Sequence, residues 1–91
     1  MKSRITKKSV KADIKAILDL FLSAEVERDN KPEVYCETTD SYITNPRIEQ
    51  LYARADAAVN ASATAYRLER SDIVSMTWDD NALNLFTHGM A

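Results

Sequence analysis

No glycine interrupts the first 88 residues of this 91-residue chain, whose one glycine is Gly89. A chain of this size ordinarily carries about six. Backbone conformations with positive φ come cheaply only at glycine, so few tight, special loops are expected and long uninterrupted elements are favoured. The same scarcity excludes whole classes of chemistry. The Walker A loop, the dinucleotide fingerprint and the nucleophile elbow each need at least two glycines. The single cysteine, Cys36, excludes an intrachain disulfide framework and any multi-cysteine zinc site.

Two prolines, Pro32 and Pro46, divide the chain. Before the first, Val10, Ile14, Ile17, Leu18 and Phe21 recur at helical spacing, with Leu22 and Val26 at the edge of the stripe. An amphipathic helix is expected over about 10–28, with Ser9 as its cap. Asn30-Lys31-Pro32 ends it, because the residue before proline is pushed out of the α region. Residues 33–38 are rich in β-branched and aromatic side chains and read as a short β segment. Thr39-Asp40-Ser41 reads as a turn, after which Tyr42-Ile43 either returns as a strand or leads into the next helix.

Asn45-Pro46 is a helix start: Asn caps, and Pro suits the first helical position. A second amphipathic helix is expected over about 46–70. Ile48, Leu51, Ala55, Ala58, Ser62, Ala65 and Leu68 form one stripe, and Tyr52, Val59, Ala63 and Tyr66 a bulkier neighbour. Seven of the thirteen residues 53–65 are alanine, so this helix offers close backbone approach more than buried volume.

The tail admits two readings. Ile73–Trp78 and Leu83–Thr87 around Asp79-Asp80-Asn81-Ala82 make a β-hairpin over about 72–88, and the β-branched run favours it. As a helix, Thr77 would cap it, Asp80 would close a capping box and Gly89 would end it. The expected fold is therefore one α+β domain over residues 1–91, mainly helical, with residues 1–8 as a basic arm. The alternative is a small all-α bundle. Either takes its core from Ile14, Ile17, Leu18, Phe21, Ile48, Leu51, Ala55, Ala58, Leu68, Trp78, Leu85 and Phe86.

The net charge of −2 conceals a strong asymmetry. Residues 1–15 carry a net +5, from Lys2, Arg4, Lys7, Lys8, Lys11 and Lys15 against Asp13. Residues 16–45 carry a net −5, and the remainder −2. Lys and Arg near the start loosely resemble a secretion signal, but Asp13, Lys15 and Asp19 interrupt the apolar run. A cytoplasmic location, which a lone cysteine suits, is the expectation.

Candidate reactive groups are few. Cys36 and His88 are the only thiol and the only imidazole, and nothing supplies an orienting group or an oxyanion hole. Asp79-Asp80-Asn81 lacks the alternating ligands, glycine and later glutamate of a calcium loop. No enzyme activity and no cofactor are expected. The leading expectation is a small protein-binding module that occupies a partner's surface. Its contact set is acidic and aromatic: Glu25, Glu27, Asp29, Glu33, Tyr35, Glu37, Asp40 and Tyr42. A basic partner site that otherwise holds nucleic acid would make the chain a competitive inhibitor. Small phage and mobile-element proteins of similar size and charge offer the analogy. One alternative is a nucleic-acid-associated regulator using Lys2, Arg4, Lys7, Lys8, Lys11 and Lys15 on phosphates. Another is a structural subunit that self-associates through the alanine-rich helix.

Overall fold

The element order follows the two prolines. In a computed structural model that describes residues 5–90, α1 spans Lys7–Asn30, β1 Glu33–Cys36, β2 Ser41–Thr44 and α2 Pro46–Tyr66. Two shorter helices follow, α3 over Arg70–Trp78 and α4 over Asp80–Thr87.

α1 starts three residues before the expected boundary, and Thr6 rather than Ser9 is its cap. The Thr6 hydroxyl accepts from the Ser9 amide at 3.1 Å, and the Ser9 hydroxyl accepts from the Thr6 amide at 2.9 Å. This reciprocal capping box satisfies two amides of the first turn and outcompetes Ser9 capping alone. Lys7 and Lys8 are thereby helical; Lys2 and Arg4 lie outside the described residues. α2 begins at Pro46 behind the Asn45 cap, as its sequence demands. It stops at Tyr66, short of residue 70, because Arg67 turns left-handed at φ 56°. The Leu68 amide then donates back to the Ala63 carbonyl at 2.9 Å, and Leu68 packs on the core. This is the helix stop usually built on glycine, made here without one.

α1 and α2 pack antiparallel. Near one end the Tyr66 hydroxyl donates to the Asp13 carboxylate; near the other, Arg47 faces Glu27 at 3.7 Å. α3 and α4 cover one side of this pair, with the Arg70 guanidinium reaching Asp56 and Asn60 on α2. The buried core joins three helices: Val10, Ile14 and Ile17 from α1, Val59 and Ala63 from α2, Ile73 and Met76 from α3.

The tail is helical, so the expected C-terminal hairpin over 72–88 is corrected. Ile73, Met76 and Thr77 are buried at spacings of three and four, which only a helix presents to one side. The buried Thr77 hydroxyl donates to the Ile73 carbonyl at 2.8 Å, a partner a strand would not offer. Asp79 closes α3 through its amide, which donates to Ser75 O at 2.9 Å. It also caps α4, its carboxylate accepting from the Asn81 amide at 2.9 Å. Burial at helical spacing thus overrides the β propensity of Ile73-Val74. The sheet is instead mid-chain: β1 and β2 form an antiparallel hairpin pairing Glu33 with Thr44, Val34 with Ile43, Tyr35 with Tyr42 and Cys36 with Ser41.

Two expected core residues lie outside. Trp78 is 51% exposed, its ring 5.7 Å from Phe21 at the edge of the helical body. Leu85 is 78% exposed, on the face of α4 that carries Asn81, Asn84 and His88. Ile14, Ile17, Ile48, Leu51 and Ala55 take their expected place in the interior, and Leu18, Phe21, Ala58, Leu68 and Phe86 are half-buried; Val10, Ala24, Val59, Ala63, Ile73 and Met76 are buried although outside the expected core.

Two expectations follow. A left-handed backbone costs a non-glycine residue about 1–2 kcal/mol, partly offset by the entropy glycine adds to the unfolded chain. Arg67→Gly should therefore stabilise the protein by roughly 0.5–1 kcal/mol in urea unfolding. The Tyr66 hydroxyl is held well above the ordinary tyrosine range, chiefly by burial, then by its hydrogen bond to Asp13 and that carboxylate's charge. Its stabilisation is complete below pH about 10 and is lost as pH rises beyond it. Thermal unfolding of the wild type should thus decline more steeply above pH about 10 than that of Tyr66→Phe.

Candidate contact surface on the hairpin arm

The hairpin packs on itself and meets the helices at its base. There the organising residue is Asn45, 4% exposed. Its Oδ1 accepts from the Arg47 amide at 3.0 Å, capping α2. Its Nδ2 donates to the Lys31 carbonyl at 2.9 Å and to Glu27 Oε2 at 3.1 Å. Its own amide donates to the Pro32 carbonyl at 3.0 Å. One residue, through its side chain and its backbone amide, therefore ties the end of α1, the root of β1 and the start of α2.

The molecule measures 56 × 30 × 19 Å with a radius of gyration of 16.5 Å. A compact chain of this length would give about 12 Å. α1, 24 residues long, is roughly 36 Å in length, well short of the 56 Å long axis, and the strands of the hairpin that follows it contact chiefly each other.

Strand alternation sorts the arm's side chains. Val34, Cys36 and Ile43 lie half-buried on one face; Glu33, Tyr35, Tyr42 and Thr44 stand on the other. Tyr35 and Tyr42 are directly opposite, their rings edge-to-face at 5.6 Å, and they are 50% and 69% exposed. Aromatic cross-strand pairs stabilise a hairpin by up to about 1 kcal/mol, so this pair helps to hold the arm as well as furnish its surface. The turn over residues 37–40 ends on Asp40 at φ 52°, another left-handed position without glycine. The Tyr35 hydroxyl donates to the Asp40 carboxylate, and Thr39 and Ser41 hydroxyls share a 2.9 Å hydrogen bond.

The structure divides the expected acidic and aromatic set. Glu33, Tyr35, Glu37, Asp40 and Tyr42 all ride on the arm. Glu25, Glu27 and Asp29 stand in the last two turns of α1. Glu27 is half-buried, accepts from Asn45 and faces Arg47. Asp40 is engaged by Tyr35, which leaves Glu33 and Glu37 as the outward carboxylates of the arm. The basic set lies along the other half of α1. Lys7, Lys8, Lys11 and Lys15 are exposed, and Lys15 pairs with Asp19 at 3.2 Å. Basic head and acidic arm thus occupy opposite ends of one helix.

Cys36 sits at the arm's turn, where hydrogen bonds with Thr39 lower its thiol below the ordinary value; His88 follows α4. Among the described residues no three His, Cys, Asp or Glu side chains are grouped to hold a metal ion. No described helix is long and apolar enough to cross a membrane. Neither known protein-family models nor characterised proteins nor solved structures match the chain.

Sequence reasoning missed the junction role of Asn45, which reads only as a cap until Lys31 and Glu27 are seen beside it. Pairing of the tyrosines was legible in principle, since Tyr35 and Tyr42 are symmetric about the turn. Asn45→Ala should lose the cap and leave two acceptors unpaired, costing about 2–3 kcal/mol in chemical unfolding. Asn45→Asp keeps the cap but cannot donate to Lys31 or Glu27, so faster amide exchange in β1 and β2 should appear in both variants.

Proposed function

We propose that the chain is a non-enzymatic protein-binding module whose contact surface is the hairpin arm. The observation that carries this reading is the exposed Tyr35–Tyr42 pair, set edge-to-face across the two strands of the arm beside Glu33 and Glu37. Tyrosine brings large contact area with few rotatable bonds, so it anchors interfaces at low entropic cost. Solvent-exposed aromatics on an arm that contributes little to the core are poorly explained by stability alone. Two outward carboxylates flanking them favour a basic partner surface, through steering and register more than raw affinity. A site that otherwise binds nucleic-acid phosphates has that character, and occupying it would make the chain a competitor. Because the arm is preformed, little ordering entropy opposes binding.

The test is affinity capture from extracts of the native host, comparing wild type with Tyr35→Ser/Tyr42→Ser and Glu33→Lys/Glu37→Lys. Glu33 and Glu37 are exposed, so their reversal should change the unfolding midpoint little, while the tyrosine variant should lose no more than the roughly 1 kcal/mol of its cross-strand pair. The expected result is a basic protein retained by wild type, released as salt rises, and reduced about tenfold or more by either double substitution. Equal capture by all three proteins would overturn the reading.

A further inference from the structure

α1 has a second face, turned away from the core. Val10, Ile14, Ile17 and Ala24 are buried on one side. On the outer side, Lys8, Lys15, Leu22 and Asp29 recur every seven residues, with Lys11 and Val26 in the same stripe. Leu22 and Val26 are 43% and 57% exposed. They line an apolar groove between α1 and α2 that Leu51 floors and Glu27 and Arg47 border. Along this stripe the character changes from cationic, through apolar, to anionic at Asp29 and then the hairpin.

That order is complementary to its own reverse. We propose that a second copy of this chain docks here antiparallel, with Leu22 and Val26 of both copies at the centre. Each copy's basic half of α1 then lies beside the other's acidic hairpin. The lengths agree. From the midpoint of Leu22 and Val26, Lys15 to Lys8 lie roughly 13–24 Å toward the N-terminus of α1. In the other direction the helix ends after roughly 9 Å. Extended chain at about 3.3 Å per residue then places Glu33 and Glu37 at most roughly 19 and 32 Å from the midpoint, a span that takes in Lys11 and Lys8. A two-fold operator repeats each contact, so both lysine rows meet both arms. Lys8 and Lys11 form no ion pair among the described residues, and Asp19 is already held by Lys15. A like-oriented pair would instead set lysines on lysines and carboxylates on carboxylates. This inference goes beyond the arm's role in binding another protein and does not depend on it.

Sedimentation equilibrium of the full chain tests it. The expected result is a monomer–dimer equilibrium that weakens about tenfold or more as salt rises from about 50 to 500 mM. Leu22→Asp/Val26→Asp should be monomeric with an unchanged circular dichroism spectrum. Lys11→Glu/Lys15→Glu and Glu33→Lys/Glu37→Lys should each be monomeric alone, and mixing the two should restore a dimer, because each face then meets its opposite charge. A strict monomer at all concentrations, a dimer untouched by Leu22→Asp/Val26→Asp, or a mixture that stays monomeric would overturn the proposal. Neither the charge pairs nor the apolar centre of the self-contact requires a tyrosine, so a monomer that still captures a partner through its tyrosines refutes self-association alone. A dimer whose tyrosine variant captures normally refutes the arm reading alone.

Discussion

Asn45 is the point on which the shape of this protein turns. Two long antiparallel helices could be joined by any connection that spans their ends. What makes the connection a projecting arm is a buried amide that donates to α1 and caps α2, while its backbone closes on Pro32. Each of these bonds exchanges water for protein and contributes only about 1 kcal/mol net. Their consequence is geometric: with both amide hydrogens and the oxygen committed, the root of the hairpin has one orientation relative to the helices. The cross-strand tyrosines and the Tyr35–Asp40 bond then stiffen the arm beyond that root. The arm therefore needs little support from the core to keep its shape.

Much of this was legible in the sequence, and the failures have physical causes. The apolar spacing of α1, the Asn45-Pro46 start of α2 and the β segment after Pro32 follow from local rules, and the structure keeps them. The boundary at Arg67 was not legible, because a left-handed stop at arginine contradicts residue preference and is held by the Leu68 amide and its burial. The tail failed for the reason short apolar runs fail. Ile73-Val74 satisfies β propensity locally, yet Ile73, Met76 and Thr77 are drawn inward together by α1 and α2, which no local rule contains. Trp78 has the size of a core residue but closes the rim beside Phe21. Of the candidate site, residue types were legible. Their division between the arm and the Glu27 ion pair depends on tertiary contacts and was not.

The scarcity of glycine acquires a sharper meaning beside the structure. The two left-handed positions of the chain interior, Asp40 and Arg67, are both occupied by residues with side chains. Asp40 uses its carboxylate to hold Tyr35, a contact glycine could not supply. Strain at the arm's turn thus coincides with a hydrogen bond that fixes an exposed aromatic, and strain of this kind persists only where its surroundings over-determine it. Charge follows the same economy of parts: one helix carries the cations at its start and leads into the anions of the arm, so both ends of the molecule are recognisable surfaces.

The central claim is that the arm is a preformed surface set rigidly on the helices, and backbone residual dipolar couplings measured on the wild-type protein test it most directly. If Asn45 fixes the root, couplings from β1 and β2 fit the same alignment tensor as those from α1 and α2, at the same amplitude. Couplings from the strands that average toward zero, or that demand a tensor of their own, would contradict it.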